Sequence, residues 1–445
     1  MKILIKNAEI ITVNPHDEIL TGDVLVEDTS IVAIGRLGDI QADKTIDATG
    51  KTLIPGFVQT HLHLCQTLFR GQSDDLELLD WLRKRIWPLE ASHDEESIYW
   101  SALLGIGELF ESGTTSLVDM ETVRYTESAF QALAESGIRA LSGKVMMDHG
   151  AEVPPGLFEN TAASLEESVR LLEKWHGHDG GRIQYCFCPR FVVSCTEPLL
   201  VGVRDLSKHY DVMVHTHASE NRGEIALVES ERGMRNVIYL DHIGLANERL
   251  ILAHSIWLDD QERRILAERN VKVTHCISSN LKLASGIADL PALKKAGVAV
   301  GLGTDGAACS NVLDMFQEMR QAALVQKVMH GPTTMPAREA LRMATMGGAQ
   351  VMRLEDKIGS IEVGKRADLV LLDLNQLHSY PSRGVDPVSR VVYSAGKQDV
   401  ETVLVNGKVV LEDRKLLTID RKAVLRNSNE SIERLLKRSG VNDNR

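Results

Sequence analysis

The sequence predicts an α/β protein: a (β/α)8 barrel of the TIM type, with a small β-sandwich domain formed from both chain termini. Three observations predict it. Eight short apolar segments fill the middle of the chain, most of them separated by helix-length stretches, which is the pattern of βα units and a parallel sheet. Histidine and aspartate collect at the C-terminal ends of those segments, where such barrels carry their chemistry. The two ends of the chain instead alternate with period two and break at Asn, Asp and Gly, a different style of sheet.

Taken in order, residues 1–55 supply the N-terminal part of the small domain with "MKILIKNAEIITV", "GDVLVEDTSIVAIG" and "KTIDATGKTLIPG". Lys6, Asn7 and Glu9 interrupt the first of these too early for the apolar core of a signal peptide. The barrel is expected over 56–360, its strands at 53–64, 114–120, 139–147, 182–190, 212–219, 249–256, 272–276 and 299–305. Helical stretches such as "DEESIYWSALLGIGELFES", "SLEESVRLLEKWHG" and "DDQERRILAERN" separate most of them. Eight such units close naturally into a barrel; a doubly wound open sheet is the alternative. Residues 361–445 return to short strands in "ADLVLLDL", "VETVLVNGKVVLE" and "RKLLTID". The tail reads as an amphipathic helix and a frayed end.

Composition narrows the function. With 445 residues, 43% of them apolar and 25% charged, the chain is an ordinary globular protein large enough for a barrel and a smaller domain. Its 62 acidic against 50 basic residues, a net charge of −12, argue against a nucleic-acid partner, which needs a basic surface. No segment is apolar enough to span a bilayer, so no membrane partner is expected. The six cysteines (Cys65, Cys186, Cys188, Cys195, Cys276 and Cys309) form no CxxC pair. Buried free thiols in a reducing, cytoplasmic setting are expected, with Cys186 and Cys188 in the core.

The polar strand ends are the chemical signal. Strand one ends in His61 and His63, strand five in His215 and His217, strand six in His254, strand seven in His275 and strand eight in Asp305. Side chains two apart on a strand point the same way, so His61 and His63 can share one target. One histidine alone reads as a structural residue, but five strands delivering His or Asp at one end suit a catalytic metal with an open position. The assignment is His61, His63, His217 and Asp305, with His215 as the competitor for His217. Zinc is the expected ion, one per chain, and iron also accepts this set. Asp305 doubles as the base that takes a proton from the attacking water. Glu220 is the general acid, or else the cap of the helix that follows it. His254 stabilises developing charge.

The segment "GLGTDG" (301–306) matches the dinucleotide fingerprint letter for letter. It lies at the eighth strand rather than the first turn, and Asp305 would repel a pyrophosphate. Its glycines are therefore read as room for the metal-binding aspartate, and a nicotinamide-dependent dehydrogenase is the remote alternative.

Together "PGFVQTHLHL", "HASE", "ILAH", "GLGTDG" and "IGSIEVGKRADLVLLD" resemble the amidohydrolase superfamily, in its branch of cytosine, guanine and adenosine-derivative deaminases and chlorotriazine hydrolases. The resemblance spans nearly the whole chain. It implies a metal-dependent aminohydrolase that releases ammonia from a small heterocyclic substrate, and a homo-oligomer. Binuclear members place a carboxylated lysine at the end of strand four. Here that strand ends in Cys188, Pro189 and Arg190, and Lys144 lies on strand three, so a second metal is not expected. "HLHLCQ", "DLELLDWL", "PRFVVSC" and "HASENRGE" are similar to guanine deaminases. That likeness implies Gln66 and Arg190 on the purine edge, Trp81 or Phe191 against the ring face, and Glu220 on a ring nitrogen. Guanine is the expected substrate. "LFRGQSDDLELLDWLRKRIWPLE", "SSNLKLASGIADLP" and "GTDGAACSNVLDMFQEMR" instead resemble deaminases of 5'-deoxyadenosine, 5'-methylthioadenosine and S-adenosylhomocysteine, which are the alternative. Triazine hydrolysis is a distant third. Ile277 stands in "HCISSN" where proline is usual.

Overall fold

A computed structural model describes residues 1–441, so the last four residues of the tail expected to fray lie outside the described residues. Five strands open the chain: β1 (Lys2–Ile11), β2 (Ile19–Glu27), β3 (Ser30–Gly35), β4 (Lys44–Asp47) and β5 (Thr52–Pro55). The middle contributes β6 (Phe57–Leu62), β7 (Thr114–Met120), β8 (Arg139–Gly143), β9 (Val145–Met146), β10 (Ile183–Tyr185) and β11 (Cys188–Pro189). Then come β12 (Val214–Ala218), β13 (Leu250–His254), β14 (Lys272–His275) and β15 (Val300–Leu302). The chain returns to sheet in β16 (Leu369–Leu372), β17 (Val400–Val405), β18 (Lys408–Glu412) and β19 (Lys415–Leu416).

The barrel is the parallel sheet β10-β8-β7-β6-β15-β14-β13-β12. Its two edges meet at Phe187, which forms a parallel bridge with Val214. The Phe187 amide donates to the Met213 carbonyl at 3.0 Å, and the His215 amide donates to the Phe187 carbonyl at 2.8 Å. Closure removes both sheet edges, and Leu62, Leu117, Leu252 and Val273 of its strands join one buried apolar cluster with the surrounding helices.

Two expected strands are broken. The segments 139–147 and 182–190 each divide, and β9 and β11 form a separate parallel pair. The two backbones come so close at Gly143 that a Cβ there would lie 1.8 Å from the Cys186 carbonyl oxygen. The barrel ladder stops at that crossing and resumes as β9–β11. The expected first strand, 53–64, is also two. Residues up to Pro55 belong to the terminal sheet and those from Phe57 to the barrel. Gly56 makes the transfer, because any Cβ there would meet Thr115 at about 2 Å (2.1 Å to its Oγ1).

Both chain ends build one nine-stranded sheet, in the order β19-β18-β17-β16-β5-β1-β2-β3 with β4 on β1. The antiparallel pair β16–β5 joins the C-terminal strands to the N-terminal ones. The helix Arg421–Ser439 packs on the barrel helix Glu95–Glu111, with Arg438 2.8 Å from Asp94 and Arg434 2.9 Å from Glu96. All six cysteines are buried and free, and Cys186 and Cys188 sit in an apolar cluster with Met147 and Phe191. Among the described residues no helix is long and apolar enough to cross a membrane.

Candidate active site

Three imidazoles converge at the C-terminal mouth of the barrel. His61 and His63 leave β6, His217 leaves β12, and all three are buried. Each offers one ring nitrogen to a common point, the three atoms lying within 4.8 Å of one another. The Nδ1 atoms are already engaged. His63 Nδ1 meets the Met120 carbonyl at 2.7 Å, and His217 Nδ1 meets the Arg190 carbonyl at 2.8 Å. His61 Nδ1 lies 2.7 Å from His215 Nε2, and His215 Nδ1 faces the Ile251 carbonyl at 3.3 Å. Carbonyl oxygens accept only, so each facing Nδ1 carries the proton and the opposite Nε2 keeps its lone pair. Through that chain His215 fixes the tautomer of His61; it stands behind His61 rather than beside His217 as a rival.

Burial holds the imidazole of His61 down, to about 4, and that of His217 well below its ordinary value. Neutral imidazoles are what a cation requires of its ligands. Buried His61 Nε2 has no hydrogen-bond partner. Asp305, three residues past β15, brings Oδ1 to 3.4 Å from His61 Nε2 and 3.3 Å from His63 Nε2. Burial would raise the Asp305 carboxyl, but His61 and His63 outweigh it and hold it well below the usual carboxylate range. The donor set of His61, His63, His217 and Asp305 therefore fits one divalent ion.

Asp305 is also held by its own shell. Ser279 Oγ donates to Oδ2 at 2.7 Å and the Gly306 amide donates to Oδ1 at 2.7 Å. Its φ of 63° turns the side chain back toward β6. His254 ends β13 with a φ of 70°, another left-handed residue at a strand end. Its Nδ1 faces Asn280 Oδ1 at 2.9 Å, while Nε2 lies 3.5 Å from Glu220 and 3.8 Å from Asp305. A second trio of potential ligands, His61, His254 and Asp305, overlaps the first and brings His254 to the same point. Glu220 is buried, with Ser285 Oγ 3.5 Å from Oε1, and burial above all pushes its carboxyl up to about 7. It does not cap the following helix. Asn221 does, accepting from the Gly223 amide at 2.7 Å.

The expected purine-reading residues meet on a residue the sequence reading missed. Glu90, buried near the end of the helical run 78–90, accepts from Gln66 Nε2 at 2.9 Å and from Arg190 Nη2 at 3.2 Å. A second, shorter bond joins Arg190 Nη1 to its other oxygen. Arg190 and Gln66 thus each give N–H bonds to one carboxylate, which holds both side chains against Glu90. Gln66 Oε1 and Arg190 Nε remain unpartnered. Phe191 stacks on one of the converging imidazoles, its ring 4.4 Å from that of His217 and tilted by 17°. Trp81 is a strut: its indole N–H donates to Ser73 Oγ at 3.0 Å, and Ser73 donates to the Ala308 carbonyl at 3.1 Å.

Other candidates lie apart. His275 is buried with both ring nitrogens unpartnered and is driven to about 3 by desolvation, outside either ligand trio. Lys144 is buried on Glu159, 2.6 Å from each carboxylate oxygen. The glycines of "GLGTDG" make room for β6 as well as for the aspartate. A Cβ at Gly303 would come within 2.8 Å of the His61 carbonyl, and one at Gly306 within 2.1 Å of Gln66 Oε1. Ile277 opens the helix Ile277–Lys282, which still delivers Ser279 and Asn280 to Asp305 and His254. Glu90 had one visible trace in the sequence: an acid inside the apolar "IWPLE".

Comparison with known proteins follows the same outline. Residues 52–410 match the model of the amidohydrolase family. The chain is 42% identical over 443 residues to a 5-methylthioadenosine/S-adenosylhomocysteine deaminase of Desulforudis audaxviator, covering 98% of this chain and 99% of that one. It is 42% identical over 436 residues to a 5'-deoxyadenosine deaminase of Methanobrevibacter smithii, covering 97% and 98%. A crystal structure of an adenosine deaminase from Xanthomonas campestris with bound zinc superposes with a TM-score of 0.91 at 34% identity, covering 98% of both chains. An E. coli guanine deaminase is less similar, at a TM-score of 0.83 and 28% identity over 92% of this chain and 99% of that one.

Proposed function

This chain belongs to the amidohydrolase family, and from that premise we propose that it deaminates an adenosine derivative: 5'-deoxyadenosine, 5'-methylthioadenosine or S-adenosylhomocysteine. The observation that carries the choice of substrate is Glu90. A buried carboxylate that already accepts from Gln66 and Arg190 still has lone pairs, and hydroxyl groups are the donors that suit them. A ribose supplies such hydroxyls; guanine does not. Guanine, expected from the sequence, gives way to its alternative, and the identities to adenosine-derivative deaminases support the same choice.

One divalent ion held by His61, His63, His217 and Asp305, zinc by its ligand chemistry, would lower the pKa of a water from 15.7 to about 7 and polarise the attacked carbon. The chain's own groups move the protons. Asp305, kept ionised and aimed by Ser279 and the Gly306 amide, takes a proton from the attacking water and returns it to the departing amine. Glu220, protonated up to about pH 7, gives its proton to the ring nitrogen beside the amino-bearing carbon. His254 Nε2, placed between Glu220 and Asp305, donates to charge developing at that carbon once it carries a proton. Phe191 stacks on the His217 ring and gives the bound ring a flat wall.

Ammonia release measured on 5'-deoxyadenosine, adenosine, adenine, guanine and cytosine tests the reading. Adenosine derivatives are expected to exceed guanine in kcat/KM, and the reverse order would overturn the proposal. Glu90→Gln should lower kcat/KM by about 10-fold or more for a nucleoside and much less for free adenine. An equal loss on both would remove Glu90 from ribose binding.

A further inference from the structure

We infer that Glu224 is the positioning residue for the catalytic acid: held by Asn236, it grips the backbone amide of Glu220 and so fixes where that carboxyl stands at the reacting centre. This role rests on the deaminase reading of the site and holds for whichever amino-substituted ring is the substrate.

Glu220 stands in a turn, between the end of β12 at Ala218 and the helix Arg222–Arg232. The near side of that turn is tied to the next barrel loop, where the Ile256 and Trp257 amides donate to the Ser219 carbonyl at 2.9 and 3.1 Å. The Glu220 carboxyl itself is held loosely. Its contacts with Ser285 Oγ and His254 Nε2 are both 3.5 Å long. On the far side of the turn stands Glu224, four residues on. The amides of Glu220 and Asn221 both interact with its carboxyl. Asn221 already caps the helix with its side chain, so Glu224 supplies the reciprocal half of the cap and extends it by one amide, that of the catalytic acid.

Glu224 is buried, and so is Asn236, whose Nδ2 donates to Glu224 Oε1. Asn236 opens the helix Asn236–His242, and both its neighbours are pinned to one acid. Arg235 Nε donates to Glu262 Oε2 at 2.9 Å, and the Val237 amide donates to Oε1 at 3.4 Å. The brace thus has a fixed base. Desolvation pushes the Glu224 carboxyl up to about 8, against the pull of Asn236 and the two amides. Near pH 7 it holds its proton, so it places no charge beside Glu220 and works through its oxygens. Burying a carboxyl carries a desolvation penalty that a helix cap alone does not call for, since exposed residues cap helices as well.

Ammonia release by the metal-loaded enzyme tests this role, on whichever of the five substrates above has the highest kcat/KM. Glu224→Ala should lower kcat by about 10- to 100-fold with KM within about threefold and metal content unchanged, as a misplaced acid would and a lost substrate contact would not. Glu224→Gln should recover most of that loss. Its carbonyl can accept from the two amides, and its N–H can donate to Asn236 Oδ1, which has no partner, once the Asn236 carboxamide turns over. In the Glu220→Gln background, adding Glu224→Ala should lower kcat by less than about twofold more, because the acid it places is already gone. If Glu224→Ala does not fold, Asn236→Ala carries the same comparison of kcat, KM and the Glu220→Gln background. Wild-type kcat, a change in KM alone, a Glu224→Gln as impaired as Glu224→Ala, or a loss undiminished in the Glu220→Gln background would overturn the inference and leave the deaminase reading standing. Ammonia release from none of the five substrates would overturn that reading and this role with it.

Discussion

At the scale of single residues, the site depends on which proton each side chain holds and on what keeps it there. Glu220 is the sharpest case. Burial pushes its carboxyl to about 7, so it is a loaded acid below that pH and an empty one above it. The kcat/KM for 5'-deoxyadenosine should therefore fall as pH rises from 7 to 9, measured as initial rates of ammonia release. A profile that stays level across that range would take Glu220 out of the mechanism. Glu220→Gln should lower kcat by about 10²- to 10⁴-fold and leave metal content unchanged. His215 acts one step back. Its Nε2, 2.7 Å from His61 Nδ1, orients the imidazole whose other nitrogen faces the point shared with His63 and His217. His215→Phe should weaken metal affinity by about 10- to 100-fold, read as metal retained after dialysis against a chelator. Wild-type retention would reduce His215 to a packing residue.

At the scale of elements, the helix Met315–His330 carries a buried acid in its first turn that ties it to the loop after β14. Glu318 accepts from the Ser278 amide at 3.3 Å, and burial pushes its carboxyl up to about 8. The amide of Ile277 interacts with it as well, a donor that a proline in that place would lack. Below the ordinary glutamate value of about 4.5 both folded and unfolded chains hold the proton. Between there and 8 the unfolded chain releases it first, so this group's contribution to stability is lost as pH rises through the folded value. Tm should fall from pH 5 to pH 8, and Glu318→Gln should flatten that slope by on the order of 2 °C, read by thermal unfolding at each pH. The elements also show what a sequence can reveal. Side chains that alternate along a strand announce themselves, so spacing pairs His61 with His63 on one face, and only the gathering of His and Asp at other strand ends adds His217 and Asp305. Residues that reach the site from helices and loops were not. Ser279, Asn280 and Glu90 act through contacts 26 to 100 positions away in the chain, and no local period marks such a partner. The splitting of strands three and four was equally hidden, because it arises where Gly143 passes the Cys186 carbonyl, a meeting of two distant backbones.

At the scale of the whole molecule, a barrel and a sheet made from both chain ends meet across a buried ion pair. Arg139 on β8 donates from Nε to Asp368 Oδ2 at 2.8 Å and from Nη2 to Oδ1 at 3.1 Å. Asp368 lies just before β16 and also accepts from the Asn406 amide at 2.6 Å, while Arg139 reaches the Asn406 side-chain oxygen at 3.2 Å. The Gly56 amide donates to the Asp368 carbonyl at 2.9 Å, at the point where the chain passes from β5 into β6. One aspartate therefore links the barrel wall, the returning C-terminal strands and the entry of the strand that carries His61 and His63. Both partners are almost fully buried, so removing one leaves an uncompensated charge rather than a lost surface contact. Arg139→Ala should destabilise the protein by about 3–5 kcal/mol, measured by denaturant unfolding. Lys437→Ala, which breaks the exposed pair with Glu433 on the terminal helix, should leave the midpoint unchanged. If Arg139→Ala were as mild as Lys437→Ala, the two sheets would be joined by apolar packing and by the chain's passage through Gly56 alone. Metal retention separates the consequences further. A variant that loosens this junction but still folds should bind metal less tightly than the wild type, because β6 is positioned from both sides of Gly56.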